Sequence, residues 1–238
     1  MKLRSLLALA TLATLGLVAA SATAAPPQAT TCSSGDIAAG TYKGLIVTGN
    51  CTFAGDRIKV NGDIVVAPGA TLNDHAGSPT EVHVTGDVLV GDGGILGLGT
   101  YNPTVKHKSE VGGSIIATNP TSLYVSFVRI HGDFISSGGS GPGRNFPTKD
   151  DTIDGNLSIT GWTGFWVGLV RDTVGGNVTF SNNSGDNPDS SEVMTNVIGG
   201  NLVCTGNTPA ATVNPDDGGM PNVVGGTATG ECAGLTTG

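Results

Sequence analysis

Apolar residues recur along this chain at a spacing of two on either side of a glycine. Val60, Val84, Val111, Ile130, Ile153, Val174, Ile198 and Val224 stand two positions before Gly62, Gly86, Gly113, Gly132, Gly155, Gly176, Gly200 and Gly226. Ile64, Val88, Ile115, Phe134, Leu157, Val178, Leu202 and Ala228 stand two positions after the same glycines. Positions i and i+2 share a face only in an extended chain, so the pattern predicts a strand on each side of every glycine. The glycine and its successor (Asp63, Asp87, Ser114, Asp133, Asn156, Asn177, Asn201, Thr227) form the predicted turn. Gly, Asn and Asp take positive φ at little steric cost, which is the expected reason for their choice there.

Successive glycines lie 24, 27, 19, 23, 21, 24 and 26 residues apart. Such a period is that of a solenoid: one coil cannot bury its inward side, but stacked coils can. The expected fold is therefore all-β, a single-stranded parallel β-helix of about eight coils. It is expected to be right-handed, because parallel crossovers strongly prefer that hand. Residues 1–24 read as a signal peptide, with Lys2 and Arg4 ahead of an apolar run and then Ala22-Thr23-Ala24. Residues 25–31 read as a mobile linker and 32–238 as one β-helix domain. Within it, Leu45-Ile46-Val47 and Cys51-Thr52-Phe53 around Gly49-Asn50 read as two short strand pieces of an N-terminal cap.

Composition narrows the classes. The chain carries 11 basic and 19 acidic residues, a net charge of -8, and loss of residues 1–24 with their two basic side chains moves it to -10 (9 minus 19). That argues against nucleic acid or an anionic membrane as partner. The run at residues 6–20 is short for a membrane span and no later segment replaces it, so the expected mature protein is soluble and secreted. Thirty-nine glycines and 13% charge approach low complexity, yet Val, Ile and Leu recur in order, which disorder does not require.

The Gly-Asn turns between strands resemble the pectate-lyase-like right-handed β-helices, where a ladder of Asn-type residues lines such a turn. More narrowly, residues 32–72 and 197–232, including Gly199-Gly200-Asn201-Leu202-Val203-Cys204-Thr205-Gly206-Asn207-Thr208-Pro209, resemble secreted actinobacterial β-helix proteins of unassigned function. The resemblance covers most of the chain after residue 24 and brings no activity with it. Four cysteines in an exported chain suggest two disulfides. Eight coils stacked at ~4.8 Å hold the two ends more than ~30 Å apart, so the expected pairs are Cys32 with Cys51 and Cys204 with Cys232, one staple at each end.

Candidate chemistry sits in departures from the repeat. His131 and Asp154, one residue before the glycine, and His83, Glu110, Arg129 and Thr152, three before it, share one outward face. Glu110, Arg129, His131 and Asp154 make the catalytic candidate set: Arg129 for an acidic sugar, His131 oriented by Asp154 for proton transfer. Asp150, Asp151 and Asp154 make a candidate Ca²⁺ set, and Trp162, Phe165 and Trp166 a candidate sugar platform. The competing structural readings are cross-strand charge pairs and lateral packing. Asp63 and Asp87 on adjacent rungs either face solvent or share a cation. Insertions at 97–108, 137–150, 184–192 and 207–221 are expected on one flank, the first carrying Lys106, His107 and Lys108. The glycine run at 138–143 lacks the Lys-Ser/Thr of a phosphate loop. Val65, Leu89, Ile116 and Ile135 make an outward apolar stripe, either under a loop or at an interface.

Two functions from different classes follow. One is a non-catalytic structural or binding module at or outside the cell surface, with a polysaccharide or a cell-surface component as partner and no cofactor. The other, favoured by the resemblance, is a polysaccharide lyase or hydrolase acting on an acidic glycan.

Overall fold

A computed structural model describes residues 28–74, 80–100 and 109–237. The expected signal peptide and the Lys106 to Lys108 triplet lie outside them. The chain forms a parallel β-solenoid of about seven turns. Every strand pairs in parallel with strands one coil away: Ile64, Val88, Ile115, Phe134, Leu157, Val178, Leu202 and Ala228 stand in one register.

Each coil contributes to three faces. The first face follows the glycine turn, with strands such as Ile115–Thr118 and Val178–Ser181. The second includes Ile95–Gly99, Ser122–Ser126 and Trp166–Val170. The third leads back into the turn, with Glu81–Val84, Ser109–Val111 and Val128–Ile130. The sixteen repeat positions point inward, and all are buried except Val224 and Ala228, which are half-buried in the last coil. The second face adds Leu72, Leu96, Leu98, Leu123, Val125, Leu169 and Val193 to the same core.

The N-terminal end departs from the expected short cap. Strands β1 (Thr30–Tyr42) and β2 (Leu45–Val60) are long and parallel. β2 pairs in turn with strands of all three faces, so Gly49-Asn50 lies within a wrapping strand and makes no hairpin. β1 also begins at Thr30, inside the stretch expected to be loose. The two disulfides are Cys32 to Cys51, with Cα atoms 6.4 Å apart, and Cys204 to Cys232, at 5.3 Å, one near each end.

The turn glycines owe their place to close approach, and positive φ plays no part: none of the eight rung glycines has it. A Cβ on Gly155 would lie 2.4 Å from Asp133 Oδ1, and one on Gly176 would lie 2.6 Å from Asn156 Oδ1. Those oxygens belong to a ladder. The side-chain oxygens of Asp63, Asp87, Ser114, Asp133, Asn156, Asn177 and Asn201 each accept the backbone N–H of the next rung, at 2.7–3.0 Å. Asp63 and Asp87 are thus ladder acceptors; sharing a cation is not needed to explain their stacking.

Two further ladders line the other corners. Between the first and second faces, Asn183 accepts from Trp162 N–H, Asn207 from Asn183 and Glu231 from Asn207. Between the second and third, Ser109, Asp151, Asp172, Asn196 and Asn222 accept from Val82, Val128, Asp151, Asp172 and Asn196. Insertions do not share one flank. Residues 138–143 join the first face to the second, whereas the break at 101–108 falls between the second and third, and Arg144–Lys149 is a strand of the second face.

Candidate functional site

On the third face, parallel pairing sets outward side chains of successive coils side by side: Arg57 beside Glu81, His83 beside Glu110, Glu110 beside Arg129. Opposite charges at that spacing connect into one row. Arg57 donates to both oxygens of Glu81 at 2.8 and 3.0 Å, and His83 Nε2 meets Glu81 Oε1 at 2.6 Å. His83 Nδ1 lies 3.6 Å from Glu110 Oε2. Glu110 also holds His131 Nε2, while His131 Nδ1 reaches Asp154 Oδ2 at 2.8 Å. Arg129 closes the row on Asp154 at 3.1 Å. From Arg57 to Asp154 the row crosses four coil spacings, about 19 Å.

The four catalytic candidates are therefore together, but they are bound to one another. The imidazole of His131 has a carboxylate at each nitrogen, an arrangement that only the doubly protonated ring satisfies with two donors. The hydrogen bond to Glu110, then that to Asp154, holds its pKa above the ordinary histidine value. His131 in turn holds Glu110 below the usual carboxylate value, and His83 with Arg57 does the same for Glu81.

The signs give the pair a window. The His131 contribution is complete below the ordinary histidine range and is lost as pH rises through its raised value. The Glu110 contribution is complete above the ordinary glutamate range and is lost as pH falls through its lowered value. The pair is strongest between those ranges, and solvent screening keeps its worth small because both groups are about 40% exposed (38% and 42%).

A shallow open groove of about 480 Å³ lies over the N-terminal half of the row, lined among others by Arg57, Lys59, His83, Glu110 and His131. Arg57, Lys59 and Glu81 escape a reading keyed to one and three residues before the middle glycines. Lys59 stands three before Gly62, one coil earlier, and Arg57 and Glu81 stand five before Gly62 and Gly86, so the same outward alternation carried one step further finds them.

The other candidates do not gather. Asp150 is held by Arg171, with two contacts of 2.7 Å, Asp154 belongs to the row, and Asp151 is buried in the corner ladder, so the three do not converge on a cation. Among the described residues no group of three or more His, Cys, Asp or Glu side chains is placed to hold a metal ion. Trp162 and Trp166 are buried in the solenoid and offer no platform. The Trp162 ring fills the space where Gly139 would carry a Cβ, and Trp166 Nε1 donates to the buried Glu192 at 3.2 Å.

The corner between the second and third faces holds the charges that sequence reading undervalued. Asp151 and Asp172 occupy adjacent rungs of a ladder whose next two rungs are Asn196 and Asn222. Burial pushes the Asp172 carboxyl up to about 7, against the hydrogen bonds from Asp151 N–H and the Thr148 hydroxyl. Burial, then the charge of Asp172, raises Asp151 as well. These four residues stand four before Gly155, Gly176, Gly200 and Gly226, so the glycine alignment already contains them.

Among the described residues no helix is long and apolar enough to cross a membrane. Compared with known proteins, the chain matches no protein-family model, no curated protein and no solved structure.

Proposed function

We propose that this protein is a non-catalytic binding or structural module that works outside the cell, with the groove of the third face as its contact for a polysaccharide or a cell-surface component. One observation carries the non-catalytic reading: both ring nitrogens of His131, the candidate proton-transfer group, are engaged by carboxylates. A general base needs a free nitrogen lone pair within reach of the substrate. Arg129, the candidate clamp for an acidic sugar, is spent on Asp154. The leader-like first 24 residues and the two disulfides support an extracellular place of work. The resemblance to pectate-lyase-like β-helices supports the rival lyase or hydrolase, but fold alone does not carry function.

The test is incubation of the purified protein with pectins, alginate and neutral polysaccharides, with and without Ca²⁺, reading unsaturated products, reducing ends and binding in the same samples. Binding without turnover is expected, weakened by Lys59→Glu. Turnover that disappears in His131→Ala or Arg129→Ala would establish the enzyme instead.

A further inference from the structure

Inside the solenoid, the corner between the first and second faces departs from an apolar core. The inward column of the second face runs Leu72, Leu96 and Leu123 and then turns polar at Asn145, which is 1% exposed. Trp162 in the next coil and Ser190 in the one after are fully buried. Asn145 Oδ1, Trp162 Nε1 and Ser190 Oγ have no hydrogen-bond partner among the described residues. Turning the Asn145 amide over does not supply one: its Nδ2 already donates to Gly143 O at 2.9 Å, and the turn would set oxygen against oxygen.

Room is kept beside each of the three groups. Gly141, Gly164 and Gly185 stack one per coil at this corner, and none of them has positive φ. A Cβ on Gly141 would stand 2.7 Å from Asn145 Nδ2, one on Gly164 would stand 3.1 Å from Trp162 Nε1, and one on Gly185 would collide with Ser190 Oγ. The glycines thus set the three polar groups along one buried strip, each beside its own coil.

We infer that this strip is a binding site for internal water, with one molecule accepting from Trp162 Nε1–H and donating to Asn145 Oδ1, and a second at the Ser190 hydroxyl. The chemistry selects the ligand. The indole N–H only donates, the amide oxygen only accepts and the hydroxyl does either. A cation would face the positive end of the indole N–H dipole, an anion would face the amide oxygen, and an apolar guest would leave all three groups unpaired. A neutral molecule that both donates and accepts serves all of them, and their burial restricts it to the size of water. The spacing agrees: successive coils stand ~4.8 Å apart, too far for a direct hydrogen bond, whereas two hydrogen bonds of about 2.8 Å meeting at a water span that distance. Water is then a structural ligand of the middle coils, independent of what the third-face groove binds.

Nitrogen-15-edited NOESY and ROESY spectra of the protein test this. The Trp162 indole N–H is expected to show a cross-peak at the water frequency whose sign relative to the diagonal reverses between the two spectra, the mark of a long-lived bound water as opposed to proton exchange. Asn145→Leu, which installs the residue that the three preceding coils carry in this column, should abolish that cross-peak with circular dichroism unchanged. A wild-type Trp162 indole N–H without such a cross-peak overturns the inference, and so does a cross-peak that persists at full intensity in Asn145→Leu.

Discussion

Asp172→Asn is expected to raise the melting temperature by roughly 10 °C at about pH 8 and by roughly a third of that at about pH 5. Asp172 is 1% exposed and sits one rung below Asn196, which holds the same place in the same ladder without a charge. Its oxygen accepts the Asp151 N–H at 3.0 Å, a bond that an Asn oxygen makes equally well, as Asn196 does for Asp172 at 2.8 Å. The new amide would face the Thr148 hydroxyl, which now donates at 2.7 Å and can turn to accept.

The pH dependence follows from the direction of the shift. A carboxyl whose folded pKa is raised from 3.8 to about 7 leaves the folded state binding more protons than the unfolded state across that interval. Its stabilising contribution is complete below the unfolded value and is lost as pH rises through the folded one, up to about 4 kcal/mol in all. Asp151 is shifted in the same direction, and Asp74, pushed up to about 6 by burial, adds to the slope. Wild-type protein should thus melt higher at about pH 5 than at about pH 8, and Asp172→Asn should flatten the difference. Calorimetry across that range decides it; an unchanged slope, or a less stable variant at the higher pH, refutes the assignment of a buried proton to this corner.

Gly176→Ala is the second large effect, with an expected loss of at least about 3 kcal/mol and a melting temperature lower by about 6–12 °C. The added carbon would lie 2.6 Å from Asn156 Oδ1, 2.7 Å from Gly155 O and 2.9 Å from Gly155 C. Two of those atoms are backbone of the coil below, and the third accepts the Asn177 N–H at 2.9 Å, so relief of the clash breaks the ladder. Gly234→Ala, where an added Cβ would have nothing within 4 Å and φ is not positive, should be close to neutral. Equal stability of the two variants would remove close approach as the reason for the rung glycines.

These two corners show what is legible in the chain and what is not. The strands beside each rung glycine are legible because they stand at a constant offset of two, and the ladder residue follows immediately. The second face is not, because its strands drift: Thr71 follows Gly62 by nine residues, whereas Ser191 follows Gly176 by fifteen. A face at a variable distance leaves no period to align. Sequence alone suggests that glycine serves through its freedom in φ, when its lack of a Cβ under a stacked side-chain oxygen is what matters. For the third-face row, the alternation of outward residues places Glu110, Arg129, His131 and Asp154 together, yet whether such a set is a site or a self-satisfied row depends on side-chain geometry. That Trp162 fills the core at the corner between the first and second faces, and that Trp166 is covered beside Glu192, likewise depends on side-chain geometry.

The claim that this row serves binding and stability, and performs no proton transfer, rests on His131 being an imidazolium held between Glu110 and Asp154. Nitrogen-15 spectroscopy of the histidine rings near neutral pH tests it most directly. Two protonated ring nitrogens on His131, with the ring losing a proton only above the ordinary histidine range and at a lower pH in Glu110→Gln, are the predicted result. A neutral His131 ring with one free nitrogen at that pH would contradict it.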